Sequence, residues 1–545
     1  MRPVPWGTLG AVTPPEPTTV ARPRVLVAET LAASGLDHMR AHGLEVDVRT
    51  GLSPEALCEA VVGAAALVVR SATQVDAAVL DAGSDLVLVG RAGIGLDNVD
   101  VEAATQRGVM VVNAPQSNVL SAAEHTVALL LAQARNIPQA HSALVDGRWE
   151  RSKFGGIEVT GKTLGVIGFG NIGQLVAERA LGLGMRVVAY DPFVADARYR
   201  EMGVEKAESL DEIYPECDFI TLHVASTPET RGFINADAIA KMRDGVRIIN
   251  DARGDLIVEQ DLVAAIEGGK VAGAAIDVFP EEPATESPYF GIDGIIVTPH
   301  LGASTGEAQE RAGVACAEQV AAALTGGVVT SAVNIPVVSA ETMATVGPFL
   351  PLAGHLGRLA AGIAGGITDS IEVICEGEIA EHDTRLLVTA VLAGALTGHT
   401  VESVNMVNAA DRARERGIEW SDSATTVARD YTSRLKVVIG DVSVAGTTVG
   451  STSRPRLVEV LGQSIELELA PHVGILRYAD KPGKIGAVGT TMAGEGINIA
   501  SMAVGRSSEG QATMGVTVDS PVPPEAQAAI AKDCDADVWF VELDV

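Results

Sequence analysis

At 545 residues the chain is long enough for three or four domains, each able to bury its own core. Its hydrophobic share of 47% and charged share of 20% are those of a globular protein. With 40 Lys and Arg against 70 Asp and Glu, the net charge of −30 repels phosphate backbones and anionic lipid, which argues against nucleic acid or membrane as a partner and requires any anionic ligand to be held by a local cluster of arginines.

Residues 1–23 carry six prolines and lack the apolar stretch and small-residue cleavage site of a secretory leader, so they predict a disordered arm on a cytoplasmic protein. Mean hydropathy is +0.25, yet no uninterrupted apolar run reaches the ~18 residues that span a bilayer. The five cysteines (Cys58, Cys217, Cys316, Cys375 and Cys534) are dispersed, odd in number and form no CxxC, so neither a disulfide framework nor a metal site is expected.

From Arg24 the short runs PRVLVAE, ALVVR and LVLVGR alternate with helical stretches such as LSPEALCEAVVG, a rhythm that predicts a parallel sheet covered on both faces. SAAEHTVALLLAQARN predicts a helix over 121–136 that bridges two lobes, with Ser121 as N-cap and Glu124 closing a capping box. From Lys162 the rhythm restarts in TLGVIGFG, RVVAYD, DFITLHV, VRIIND, AAIDVF and IIVTPH, a six-strand doubly wound unit. Residues 304–326 then predict a helix with serine at its start and glycine at its end, and SAVNIPVVS reads as a proline-bounded linker.

The expected organisation is therefore a discontinuous first lobe (24–120 and 304–335) with a second lobe (121–303) inserted in it. Residues 336–471, rich in Ala, Gly and Val and carrying the hairpin-like RLVEVLGQSIELEL, predict a separate α+β domain. Residues 472–545 read strand, helix, strand, strand, helix, strand, the ferredoxin-like order.

The chemistry is set by GVIGFGNIG. Gly168, Gly170 and Gly173 follow a buried strand and open a helix whose Ile172, Leu175, Val176 and Leu183 share one face, and Asp191 ends the next strand. In this dinucleotide pattern the first glycine makes the tight turn, the second admits a pyrophosphate to the backbone, and the third lets helix pack on strand. The helix N-terminus then offers free amides to the phosphates. Asp191 would accept from the ribose hydroxyls and repel a 2′-phosphate, which favours NAD over NADP.

Two rival patterns are weaker. Gly156, Gly161, Lys162 and Thr163 spell a P-loop, but they lead into a strand rather than a helix. Gly302, Ser304 and Gly306 spell a hydrolase elbow, but no HGGG-type oxyanion loop accompanies them. Hydride chemistry needs a proton acceptor and a cationic clamp, and three candidates end strands of the second lobe: Arg253 after VRIIND, Glu282 in PEEP after AAIDVF, and His300 closing IIVTPH.

With these residues in place, the chain resembles the D-2-hydroxyacid dehydrogenase family, and in particular its long-form members. The matching stretches are VVRSATQVD, GRAGIGLDNVD, NAPQSNVLSAAEHTVALLLA, GKTLGVIGFGNIG, DARGDL, DVFPEEP and TPHLGAST, spanning roughly residues 24 to 335. The resemblance implies an α/β fold in which an NAD-binding Rossmann lobe is inserted in a flavodoxin-like substrate lobe.

It also implies His300 as acid/base paired with Glu282, Arg253 on the substrate carboxylate, and Arg70 and Arg91 on a substrate phosphate. Implied cofactor contacts are Asn171, Ile172, Asp191, Val224, the Asp251–Ala252–Arg253 turn, Asp277 near the carboxamide, and the His300 to Ala303 turn including Gly302. LHVAST departs from the family in lacking the usual proline after the valine, which affects that loop alone. Beyond residue 335 the chain resembles the long-form intervening domain, where Arg454 and Arg456 are weak candidates for a phosphate. The tail resembles an ACT domain, in which Tyr478, Asp480 and Asn498 would contact an amino acid.

The implied reaction is NAD-dependent oxidation of 3-phosphoglycerate in a homotetramer, with serine as effector. The alternatives are another D-2-hydroxyacid dehydrogenase, including one that reduces 2-oxoglutarate, or a non-catalytic metabolite sensor.

Overall fold

The computed structural model describes residues 22–367, 370–400, 403–427, 430–450, 452–508 and 510–543, with the side chain of Ala340 excepted. The arm expected over the first 23 residues lies, up to residue 21, outside them. Four sheets organise the chain.

The first is five-stranded and wholly parallel, in the order Glu45–Val48, Arg24–Val27, Ala66–Val69, Leu88–Arg91, Met110–Val112. This is the flavodoxin-like order. Apart from the edge strand Glu45–Val48, its strands are apolar and mostly buried, as expected where both faces are covered. The late helix Gly306–Thr325 packs on one face, bringing Cys316, Ala317 and Val320 against Val25, Val68 and Leu88. That helix is capped by Thr305, whose hydroxyl accepts from Ala308 N, and not by Ser304 as the sequence suggested.

The second sheet is parallel and seven-stranded: Ile295–Val297, Val271–Ile276, Val246–Asn250, Phe219–Leu222, Thr163–Ile167, Arg186–Tyr190, Glu205–Lys206. The expected six strands are thus one short. The extra edge strand has only two residues, too few to show an alternation in the sequence. The order reverses between Thr163–Ile167 and Phe219–Leu222, and at that switch point a doubly wound sheet opens its ligand crevice.

The inter-lobe helix runs Val119–Arg135 and begins two residues before the expected start, with Asn118 at its N-cap and no side-chain cap bond. Ser121 is instead buried, with its hydroxyl 2.7 Å from that of Thr305. The residue read as a cap therefore ties together the two segments that join the lobes.

The linker is not free chain. Ala332 bridges to Val112, Asn334 Oδ1 accepts from Val111 N, and Asn334 Nδ2 donates to Val109 O. Beyond it stands a six-stranded sheet of which one pair is parallel (Ser370–Gly377 with Glu419–Thr425) and the rest antiparallel. The expected hairpin is Arg454–Val460 with Gln463–Glu468, turned through Leu461 and Gly462, both at positive φ. Helices Leu350–Ala364 and Arg385–Leu396 pack so closely that a Cβ at Gly394 would strike the carbonyl of Gly354, which accounts for the small-residue composition.

This domain touches the first lobe through Asn405 Nδ2 donating to Gly108 O and Arg412 Nη2 donating to Gln106 O. The last sheet, Ile499–Arg506, Gln511–Val518, His472–Ala479, Ala536–Glu542, is antiparallel with helices Lys484–Gly494 and Pro524–Cys534, the ferredoxin-like arrangement. Among the described residues no helix is long and apolar enough to cross a membrane.

Candidate active site

The glycine-rich turn is built by steric necessity. Gly168 sits at φ +95°, where a Cβ would lie 2.5 Å from His223 O, and a Cβ at Gly173 would collide with the carbonyl oxygen of Gly168. Around Gly170, the N-cap of helix Asn171–Gly182, a Cβ would meet nothing within 4 Å, so the free amides of that helix face open space. Val176 and Ala180 are buried beneath the turn, with Ile172, Leu175 and Leu183 packed around them.

Asp191 is anchored at this turn: Oδ2 accepts from Phe169 N and Oδ1 from Phe193 N, each at 2.9 Å. Val224 comes to the same place from the neighbouring strand. The cradle fits a dinucleotide. The P-loop reading fails structurally, since Thr163 opens a strand and Lys162 lies 4.0 Å from Asp218. For the hydrolase elbow, no hydrogen bond joins Ser304 Oγ to a histidine among the described residues, and His300 Nδ1 lies against Glu282 instead.

His300 Nδ1 lies 2.6 Å from Glu282 Oε2, and Glu282 Oε1 accepts from Phe279 N. The Glu282–Pro283 peptide is cis and His300 adopts φ +53°. Glu282 raises the His300 pKa above the ordinary imidazole range, against the opposing effect of burial. Asn250, almost fully buried, holds the turn that carries Arg253, accepting from Ala252 N and donating to Arg253 O. The Arg253 guanidinium reaches Asp97 of the first lobe at 3.3 Å and lies within electrostatic reach of both His300 and Arg91.

Arg91 is largely desolvated, which lowers its pKa, and its Nε is buried with no hydrogen-bond partner; Arg70 and Glu29 stand near it. His300, Arg253, Arg91 and Arg70 thus stand within electrostatic reach of one another in series where the two lobes meet.

Several site residues were missed in the sequence. Glu29 accepts from the backbone amides of Arg70, Ala72 and Thr73, and Asp97 pairs with Arg253. His125, Thr126 and Thr298 lie behind the His300 turn. Acidic and hydroxyl side chains in loops carry no spacing signature, although Asp97 stands inside a stretch already singled out.

Asp277, expected beside the carboxamide, is fully buried, and its carboxylate is engaged internally by Thr298 Oγ1, Leu301 N, Gly302 N and His125 Nε2. Burial works to raise its pKa, but hydrogen bonds from His125, Asp251, Leu301 N and Thr298 outweigh it and hold the group below the ordinary carboxylate range. Arg456 pairs across the hairpin with Glu468.

The three effector candidates are not brought together within one chain. Tyr478 is only 4% exposed in the core and Asp480 pairs with Arg506, whereas Asn498 donates to Asp519 at the opposite end of the sheet. Six register steps separate the two ends, about 20 Å.

Comparison with known proteins decides the family. Residues 127–302 match the D-isomer specific 2-hydroxyacid dehydrogenase NAD-binding domain, 345–461 the D-3-phosphoglycerate dehydrogenase intervening domain, and 473–535 the ACT domain. D-3-phosphoglycerate dehydrogenase of Archaeoglobus fulgidus is 42% identical over 529 residues, 95% of this chain and 100% of that protein. The chain belongs to the D-3-phosphoglycerate dehydrogenase family.

The D-3-phosphoglycerate dehydrogenase of Mycobacterium bovis is 44% identical over 524 residues, covering 94% and 98% of the two chains. The TT0316 protein of Thermus thermophilus matches with a TM-score of 0.53 and 35% identity, and a glyoxylate reductase of Paecilomyes thermophila with 0.52 and 27%. Each covers 57% of this chain and nearly all of its own (99% and 98%), so the shorter proteins share its fold over little more than half its length. As a member of the D-3-phosphoglycerate dehydrogenase family, the chain is an NAD-dependent dehydrogenase.

Proposed function

We propose that the chain oxidises 3-phospho-D-glycerate to 3-phosphooxypyruvate, the first step of L-serine synthesis, in the cytoplasm; NAD, when bound, would supply the hydride acceptor. The observation that carries this reading is the convergence of the Glu282-backed His300 with three guanidinium groups in the inter-lobe cleft. Because Nδ1 is committed to Glu282, Nε2 of His300 is left to take the hydroxyl proton, and the carboxylate stabilises the resulting imidazolium. Arg253 exchanges Asp97 for the substrate carboxylate, held as a fork. Arg91, desolvated and with an unpaired Nε, takes the phosphate with Arg70. Three cations face a substrate carrying one carboxylate charge and about two phosphate charges, the local positive site that a protein of net charge −30 requires. Closure of the lobes about the inter-lobe helix and the Ser121–Thr305 contact excludes water.

Serine is the proposed effector of the ACT domain. Tyr478 and Asp480 at one end of its sheet and Asn498 at the other can surround a single ligand only when two copies pair, which accords with a homotetramer. Ile137, Leu144, Val145 and Trp149 are exposed on and just after helix Ile137–Val145 and offer apolar area to a second copy.

NADH absorbance tests the reading. 3-Phosphoglycerate with NAD is expected to give turnover that added serine lowers, and D-lactate little. Turnover of D-lactate or 2-oxoglutarate alone would contradict it. Asp191→Asn is expected to lower the NAD over NADP ratio of kcat/KM at least about tenfold, because a carboxylate beside a 2′-phosphate costs several kcal/mol. An unchanged ratio would show that another group selects the cofactor.

A further inference from the structure

Behind the His300 turn lies a group of side chains to which the proposed proton transfer assigns no step. Oxygens of Asp251 and Asp277 and a ring nitrogen of His125 lie within 4.8 Å of one another. Asp251 Oδ2 accepts from the hydroxyl of Thr126 at 2.9 Å, and a Cβ at Gly302 would stand 2.5 Å from Asp251 Oδ1. The carboxyl of Asp251 is therefore wedged between the inter-lobe helix and the backbone of the turn that presents His300. Asp277 grips the same turn from the other side: Leu301 N and Gly302 N donate to its carboxylate, and His300 N donates to its carbonyl oxygen at 2.8 Å. His300 holds φ +53°, an uncommon conformation for a residue other than glycine, which persists only where the surroundings enforce it.

We propose that Asp251 is a positioning residue that locks the His300 turn to the inter-lobe helix, bridging Thr126 to Asp277 and Gly302. The pair cannot carry two charges in so dry a place. Burial, then the hydrogen bond and charge of Asp277, raise the Asp251 carboxyl well above its ordinary range, which favours the protonated form that can donate to the Asp277 carboxylate. The groups facing the pair are His125 and Thr126 from the inter-lobe helix and Thr298 from the turn, with His300 and Arg253 beyond them. A carboxyl that donates one hydrogen bond and accepts another is mimicked by a carboxamide, so asparagine can replace it and alanine cannot.

The inference rests on reading His300 as the acid/base, and that reading is tested separately by His300→Asn. With all variants checked by thermal melt, Asp251→Ala is expected to lower kcat about tenfold or more with the KM for NAD little changed, since a small misplacement of a reacting group is costly. Asp251→Asn is expected to recover most of that loss. Thr126→Val, which leaves the carboxyl in place and removes its tether, is expected to lower kcat severalfold and decides the matter if the alanine variant does not fold. If Asp251→Asn is as impaired as Asp251→Ala, or if neither Asp251→Ala nor Thr126→Val lowers kcat, the proposal is overturned.

Discussion

His300→Asn is expected to lower kcat by about 10²- to 10⁴-fold while the protein still binds NAD, the range over which a positioned acid/base contributes. Asparagine preserves a polar group of similar reach and removes the titrating nitrogen, so the loss reports proton transfer rather than collapse of the turn.

The pH dependence follows from the direction of the His300 shift. Glu282 raises its pKa, so the imidazole stays protonated to a higher pH than an ordinary histidine near about 6.5. Alcohol oxidation requires the neutral ring. Activity should therefore fall as pH drops through this raised value, and the acidic limb of kcat/KM should lie above about 6.5. Glu282→Gln should move that limb to lower pH and reduce kcat at neutrality, because the imidazolium loses its counter-charge. A limb that stays in place in Glu282→Gln would remove Glu282 from the mechanism.

The second large effect is expected at Gly173. A Cβ there meets the carbonyl oxygen of Gly168, a backbone atom locked by the positive φ of that residue and by the His223 carbonyl next to it. Neither partner can rotate away, so the helix must lift off the strand. Overpacking of this kind costs about 3 kcal/mol or more, about 6 to 12 °C in the melting temperature of a lobe this size. The lifted helix also carries its free amides away from the pyrophosphate. Gly173→Ala is expected to lose NAD binding by titration and to melt earlier, whereas Gly182→Ala, whose Cβ would meet nothing within 4 Å, should do neither. Equal behaviour of the two variants would contradict this packing account.

Much of the fold was legible because it is written in periodic, local patterns. The apolar runs that become parallel strands, the GVIGFGNIG turn and the βαββαβ order of the tail each specify their structure over a few tens of residues. The proposed acid/base group could be assigned for the same reason, since Arg253, Glu282 and His300 follow successive strands at one edge of a sheet.

What escaped is what depends on distant segments meeting. Ser121 looked like a cap and instead binds Thr305, because the chain returns to it 184 positions further on. Glu29 and Asp97 organise the arginines across the cleft, and nothing in their own neighbourhoods says so. Glu205–Lys206 is too short to alternate. Tyr478, Asp480 and Asn498 were grouped by resemblance, and only the antiparallel register of the ACT sheet shows that they stand at opposite ends.

The central claim is that His300, Arg253 and NAD converge on C2 of a phosphorylated 2-hydroxyacid. Incubating the protein with NAD and 3-phospho-D-glycerate deuterated at C2 tests it most directly. One deuterium per reduced cofactor, found at nicotinamide C4 by mass spectrometry or NMR, with formation at least about a hundredfold slower in His300→Asn, is the predicted result. Reduced cofactor without deuterium, or equal rates in the two proteins, would contradict it.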